Sequence, residues 1–351
     1  MTEPIRVGFI GVGNMGQCAH LRHYAALPDC QVVALAELRP ELARRVAARY
    51  GISRVYSEAS EMLDREDLDA VVAAQPFTRH GQILPEVYRR QVPVLTEKPL
   101  AASVEVGEKL VSALLGSGSF HMVAYHKRSD PATMYAKEQI DALKESGRLG
   151  ELRYVRITMP PGDWIAGGFD ELVRTEEPYP DLDQDPPASD LDEQAYSAYV
   201  TFVNYYIHQV NLMRHLMGEP YRVRYAAPSG VLLAAESESG VSGVLEMAPY
   251  ETSVAWQESA LVGFERGCIR LDLPAPLTAS RPGRVVVMQD PGKGETPIET
   301  KPHLPWVGAM RQQAINFLRA VRGEATPPCE AAESLEDLKV AREYLRLWKG
   351  V

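Results

Sequence analysis

The hexapeptide GVGNMG, residues 11–16, constrains this chain more than any other feature. It follows the apolar run RVGFI and opens a segment of helical character, so three glycines stand at a strand-to-helix turn in GxGxxG spacing. Gly11 permits the tight turn, Gly13 lets phosphates approach the backbone, and Gly16 allows the helix to pack on the strand. With Asn14 and Met15 completing the turn, the helix offers unpaired N–H groups and the positive end of its dipole. A glycine-rich turn alone is weak evidence. Here a second apolar strand ends at Glu37, 21 residues past Gly16, where an acid for the adenine ribose hydroxyls is expected. Glu37 would repel a 2′-phosphate, which predicts NAD(H) as cofactor, while Arg39, two residues on, leaves NADP(H) open.

The first ~125 residues alternate short apolar runs with helical stretches, a pattern that predicts a parallel sheet covered on both faces. Strands are expected at Arg6–Ile10, Gln31–Ala36, Ala70–Ala74 and Val92–Thr96, with a further one in FHMVAY after the break at Ser117–Ser119. The second half supplies successive strands with few helices between them, which predicts a largely antiparallel sheet. SESG, residues 237–240, has the composition of a hairpin turn. Two domains are expected from the length of 351 residues, 1–124 and 125–351, with the C-terminal helix free to pack back on the first. Residues 160–195 are rich in Pro, Asp and Glu and read as a long irregular excursion, the kind of segment that serves as a lid or a subunit contact.

Net charge is −10 and no dense Lys/Arg block is present, which argues against nucleic-acid and anionic-membrane partners. The four cysteines are widely spaced without a CxxC pair, so free thiols are expected and a metal site is not. MTEPIRVGFIG enters a strand too early for a signal peptide, and no apolar run approaches the ~20 residues of a membrane span. Together these predict a cytoplasmic protein.

Two further stretches carry chemistry. Glu97 and Lys98, in VPVLTEKPLA, end a buried strand, and the carboxyl ends of parallel strands are where such folds bind ligands. In FVNYYIHQVN, an otherwise greasy helix keeps Asn204, His208 and Asn211 on one face at i, i+4 and i+7.

At this point the chain resembles the Gfo/Idh/MocA oxidoreductases. The likeness rests on GVGNMG, on PFTRH (Pro76 to His80), on the EKP triplet at 97–99, and on YHKRSDP at the crossover between domains. It continues through the helix carrying His208, the FERGCIRLD strand pair and the closing helix. The resemblance implies a Rossmann domain followed by an α/β domain with an open, mostly antiparallel sheet that forms homo-oligomer interfaces. It also implies NAD(P)-linked redox chemistry on a secondary alcohol of a sugar, glycoside or cyclitol. By position, Lys98 matches the family's catalytic lysine and His208 its acid/base histidine. Pro76, His80 and Glu97 fall with the cofactor site, although His80 could instead cap the helix that follows. Members commonly carry Asp where this chain has Asn204 and Asn211.

Oxidising a carbinol requires removal of its hydroxyl proton as hydride leaves the carbon. An imidazole with a reference pKa of ~6.5 suits that transfer, and an ammonium can stabilise the developing alkoxide. His208 is therefore expected as general base and Lys98 as its electrostatic partner. Asn204 cannot exchange a proton but can orient His208 or bind a hydroxyl. His126, Lys127, Tyr206 and Asn211 are candidates for substrate hydroxyls, and Trp164, beside Asp163, for the face of a sugar ring. Two other readings stay open. One is an NAD-retaining hydrolase or lyase that cleaves glycosides through a transient keto-sugar; the other is a non-catalytic NAD-sensing protein.

Overall fold

The computed structural model describes residues 3–292 and 294–350. The apolar run that precedes the glycine turn is β1 (Ile5–Ile10), buried at all but one position because it lies between two other strands. With β2 (Cys30–Ala36), β3 (Arg54–Tyr56), β4 (Ala70–Ala73), β5 (Val94–Thr96) and β6 (His121–Val123) it forms one sheet in the order β3-β2-β1-β4-β5-β6. Every pairing in it is parallel. This is the doubly wound order, in which the chain reverses direction across the sheet between β1 and β4. The crevice at that switch point opens beside the turn that begins with Gly11.

A π-helical turn at Gly16–Leu21 leads into α1 (Arg22–Tyr24), and α2 (Pro40–Tyr50), α3 (Ala59–Arg65), α4 (His80–Arg89) and α5 (Val104–Leu115) connect the later strands. Pro40 at the first turn and the left-handed Gly51 (φ 68°) delimit α2, as helix-end chemistry dictates. The core gathers Phe9, Tyr24, Leu35, Val72 and Leu95 with Phe317. Tyr24 meets both Phe9 and Phe317 edge-on, at centroid separations of 5.5 and 6.4 Å.

The second sheet has eight strands. After α6 (Pro131–Ser146) come β7 (Leu152–Met159), the long α7 (Glu193–Met217), then β8 (Tyr221–Ala226), β9 (Leu232–Ser237) and β10 (Ser242–Met247). β11 (Glu258–Phe264), β12 (Gly267–Leu273), β13 (Arg284–Gln289) and β14 (Ile298–Thr300) follow, and α8 (Ala309–Val321) and α9 (Ala331–Lys349) close the chain. Their order is β14-β13-β12-β11-β7-β10-β9-β8, antiparallel throughout except for the β10–β7 pair. Burial alternates along β11, as expected of a sheet with one covered face. That face is covered by α6, on β12 and β13, and by α7, on β7 and β10. Asp192 starts α7 by accepting a hydrogen bond from Ala195 N at 2.7 Å, and the left-handed Gly218 (φ 76°) ends it.

The α/β fold expected from the sequence is therefore present, and the turn at 237–240 does join β9 to β10. The chain divides into two compact units. One comprises residues through Tyr125, with Phe169–Asp190 and Gln313–Leu338; the other comprises His126–Gly168, Leu191–Gln312 and Lys339 onward. Among the described residues no helix is long and apolar enough to cross a membrane.

Candidate active site

In the first unit two of the three glycines, Gly11 and Gly16, are required by geometry. Gly11 has φ +84°, and a Cβ there would lie 2.7 Å from the Gln75 side chain and 3.0 Å from the Ala74 carbonyl. A Cβ on Gly16 would meet the Gly11 carbonyl oxygen at 2.5 Å, which backbone cannot yield. Gly13 is different: a Cβ would find just the Arg39 guanidinium, at 3.4 Å, so this side of the turn is open to a ligand. Asn14 is exposed and Met15 half-buried at the helix start, where Gln17 N bonds the Gly13 carbonyl at 3.0 Å.

Glu37, 6% exposed, stands at the tip of β2. It accepts hydrogen bonds from Val12 N (3.0 Å) and from Arg39 N (3.2 Å), Nε (2.8 Å) and Nη2 (3.2 Å). The turn amides, the open Gly13 face and a carboxylate tied to Val12 make a donor and acceptor set that fits a dinucleotide: N–H groups for pyrophosphate, carboxylate oxygens for ribose hydroxyls.

Beyond β4, Pro76 is exposed and His80 wholly buried. Burial holds the His80 ring below its usual pKa, and its Nδ1 lies 2.9 Å from the Leu100 carbonyl oxygen. The imidazole thus anchors the segment after EKP; the N-terminus of α4 is capped from elsewhere, by Asp185 at Gly81 N (2.7 Å).

Glu97 and Lys98 follow β5 directly. Glu97 Oε1 lies 2.7 Å from His20 Nε2, and Oε2 accepts Lys98 N at 3.3 Å. Burial pushes the Glu97 carboxyl up, but the His20 contact and the Lys98 charge outweigh it and leave the pKa below the ordinary value. Lys98 is half-buried. His20 has no sequence signal, because its partner is far along the chain.

In the second unit the polar row of α7 runs from surface to core: Asn204 is exposed, His208 half-buried and Asn211 1% exposed. The His126 ring meets His208 edge-on at 4.5 Å. Asn211 Oδ1 accepts Arg128 Nε at 2.7 Å, so this amide is engaged in the core. Lys127 is not presented as an exposed cation. It is buried and ion-paired with Glu258, 5.6 Å from the centre of the Trp256 ring. Glu258 also accepts Gln209 Nε2 (2.7 Å) and Trp256 Nε1 (3.2 Å).

Tyr206 and Asn204 line a groove of about 1020 Å³ with Phe202, Tyr344 and Trp348. Its aromatic wall is a stack, Phe202 on Tyr344 at 4.5 Å and Tyr344 on Trp348 at 5.7 Å. Trp164 is 40% exposed, in a turn that Asp163 closes by accepting Ile165 N and Ala166 N, each at 3.0 Å. The Asp163 carboxylate is thereby engaged with backbone. Among the described residues no group of three or more His, Cys, Asp or Glu side chains is placed to hold a metal ion.

Comparison with known proteins adds to this geometry. Residues 5–125 match the family described as "Oxidoreductase family, NAD-binding Rossmann fold" (GFO_IDH_MocA). The uncharacterized oxidoreductase YrbE of Bacillus subtilis (strain 168) is 21% identical over 359 residues, 97% of this chain and 94% of that protein. The scyllo-inositol 2-dehydrogenase (NAD(+)) of the same organism is 23% identical over 260 residues, 70% of this chain and 68% of that protein. Matches to several inositol 2-dehydrogenases are local and span half or less of those proteins. Among solved structures, levoglucosan dehydrogenase in complex with NADH and levoglucosan has the same fold, with a TM-score of 0.74 at 19% identity over 99% of this chain and 98% of that one.

Proposed function

Because this chain belongs to the Gfo/Idh/MocA oxidoreductases, we propose that it transfers hydride between a nicotinamide cofactor and a secondary alcohol or ketone of a sugar, glycoside or cyclitol. The observation that carries this reading is the carboxyl edge of the parallel sheet, which collects the glycine turn, Glu37 and, after β5, Lys98. The polyol class is supported by the relatives named for scyllo-inositol and levoglucosan.

Gly11, Gly13, Asn14, Met15 and Gly16 hold the pyrophosphate through backbone N–H groups, and Glu37 binds the adenine ribose hydroxyls. The nicotinamide, when bound, supplies the hydride acceptor or donor. His208 takes the substrate hydroxyl proton in oxidation and returns it in reduction. Its imidazole is steadied edge-on by His126. The Lys98 ammonium hydrogen-bonds the reacting oxygen and stabilises the charge that develops there. The chain assembles as a homo-oligomer through the uncovered face of its eight-stranded sheet, where Tyr154, Val244, Leu261 and Val286 are half-exposed.

The test is to incubate purified protein with NAD and a panel of cyclitols, aldoses and glycosides and follow nicotinamide absorbance. Turnover of at least one polyol is expected, falling by about 10²-fold or more in Lys98→Met and in His208→Ala. Full activity in both variants would overturn the assignment. Glycoside cleavage with no net cofactor reduction would redirect it to hydrolysis or elimination.

A further inference from the structure

The acidic excursion is ordered as a strap. Residues 169–190 belong to the first unit and touch the segments that follow β1, β2 and β4. Phe169 lies against the Arg22 guanidinium, 5.1 Å from the ring centre, and Val173 exchanges two hydrogen bonds with the Gln17 amide. Glu171 pairs with Arg49, and the Arg174 carbonyl accepts Arg45 Nη1 at 2.9 Å. Farther on, the Asp183 carbonyl accepts Arg79 Nε and Gln82 Nε2, each at 3.0 Å. Asp185 N bonds the Thr78 carbonyl at 2.6 Å while its carboxylate caps α4.

The middle of the strap falls beside the tip of β2. Glu177 Oε1 accepts Glu41 N at 2.9 Å and Oε2 accepts Leu42 N at 2.8 Å, so its carboxylate occupies the N-terminus of α2. Thr175 Oγ1 donates to the same carboxylate at 3.2 Å. Two residues on, the Tyr179 ring lies 5.3 Å from the guanidinium of Arg39, which is itself ion-paired with Glu37. Burial pushes the Glu177 carboxyl up, but the two amide bonds, Thr175 and the Arg39 charge prevail and hold it below the usual carboxylate range.

A phosphate on the adenine ribose 2′-oxygen would need what this region normally offers: helix amides and an arginine next to the acid that ends β2. Here each is already engaged by the chain's own groups. The α2 amides hold Glu177, and Arg39 is neutralised by Glu37 and covered by Tyr179. A 2′-phosphate would arrive between two carboxylates, with the α2 amides occupied and the nearby arginine already ion-paired.

We propose that Glu177 is a specificity-determining residue, a strap-borne carboxylate that fills the anion position at the α2 N-terminus and makes the chain select NAD(H) over NADP(H). This rests on the reading of the first unit as a dinucleotide site. The test measures dissociation constants for NADH and NADPH by nicotinamide fluorescence in wild type, Glu177→Gln and Glu177→Ala, with Glu171→Gln as a strap control and circular dichroism to confirm folding. Wild type should bind NADH at least about tenfold more tightly than NADPH. Both Glu177 variants should narrow that ratio by about tenfold through a gain in NADPH affinity, and Glu171→Gln should leave it unchanged. Equal wild-type affinity for the two dinucleotides overturns the inference alone, as does a ratio that stays put in both variants while their melting temperature falls. A wild-type protein that binds neither dinucleotide overturns the dinucleotide reading and the inference with it.

Discussion

His20 Nε2 lies 2.7 Å from Glu97 Oε1, so the acid after β5 is held by the helical turn that follows β1. The contact ties the glycine turn to the segment that presents Lys98. It also favours the charged form of Glu97 against burial, which pushes the carboxyl pKa up. Because the folded pKa lies below the ordinary glutamate value, this acid contributes stability above that ordinary value, and the contribution is lost as pH falls through the folded value. His20→Phe leaves the carboxylate buried without its partner. The variant should lose about 3 kcal/mol near neutral pH. The loss should shrink in acid, at pH values below the lowered folded pKa of Glu97, where both forms carry a protonated carboxyl. Urea unfolding of both proteins at the two pH values checks this, and a deficit independent of pH would refute it.

Lys127 and Glu258 make a second buried pair, with Gln209 and Trp256 satisfying the remaining carboxylate positions. Lys127→Met strands the carboxylate and should cost about 3–5 kcal/mol. Adding Glu258→Gln to that variant removes the stranded charge, so the double substitution should be more stable than Lys127→Met alone. The readout is the coupling energy of the double-mutant cycle, expected to exceed about 1 kcal/mol. Additive losses would mean that the pair is not a functional unit of the core.

Asp130 gives a pH effect of opposite sign. Burial, its largest influence, pushes the carboxyl from 3.8 to about 6, despite hydrogen bonds from Ala132 N and Gly283 N. Between those values the folded chain keeps a proton that the unfolded chain has lost, so stability falls as pH rises through the window. Asp130→Asn retains an acceptor oxygen and does not titrate. The stability of wild type relative to this variant should decline by about 2–3 kcal/mol from pH 4 to pH 6. Parallel unfolding curves across the window would contradict the assignment.

The extent to which all this is legible in the sequence depends on whether a feature is local. GVGNMG, the acid at Glu37 and EKP are readable because strand, turn and helix follow one another within a few residues. β3 leaves no such trace: RVY at 54–56 is short and mostly exposed, without an apolar run. The parallel β10–β7 pairing joins strands on either side of the strap and α7, and a strand's composition does not name its neighbour. Pairs such as His20–Glu97 and Lys127–Glu258 are fixed by the fold after it forms. The strap shows the limit most clearly. Its Pro/Asp/Glu composition marks it as irregular, but its course is set by single hydrogen bonds to helix amides, which no periodicity encodes. Lys127, placed by the sequence just after the crossover strand, is buried on Glu258, a partner 131 residues along the chain that local sequence does not name.

The polar row of α7 allows its two amides to be separated by experiment. Asn211 is buried and accepts Arg128 Nε at 2.7 Å, whereas Asn204 is exposed on the groove beside Tyr206. Asn211→Ala deprives a buried guanidinium of an acceptor and should cost about 2 kcal/mol. Asn204→Ala touches no core and should change stability by less than about 0.5 kcal/mol. Their catalytic effects should divide the other way. Asn204 lies one helical turn before His208, so Asn204→Asp places a carboxylate where it favours the imidazolium. In the oxidative direction that variant should move the acidic-side limb set by His208 toward higher pH, while Asn211→Ala should leave its position in place. Measuring kcat/KM from about pH 5 to 9 and thermal unfolding on the same preparations makes the comparison. A profile that Asn204→Asp leaves unmoved would show that this amide takes no part in proton transfer and serves the groove alone.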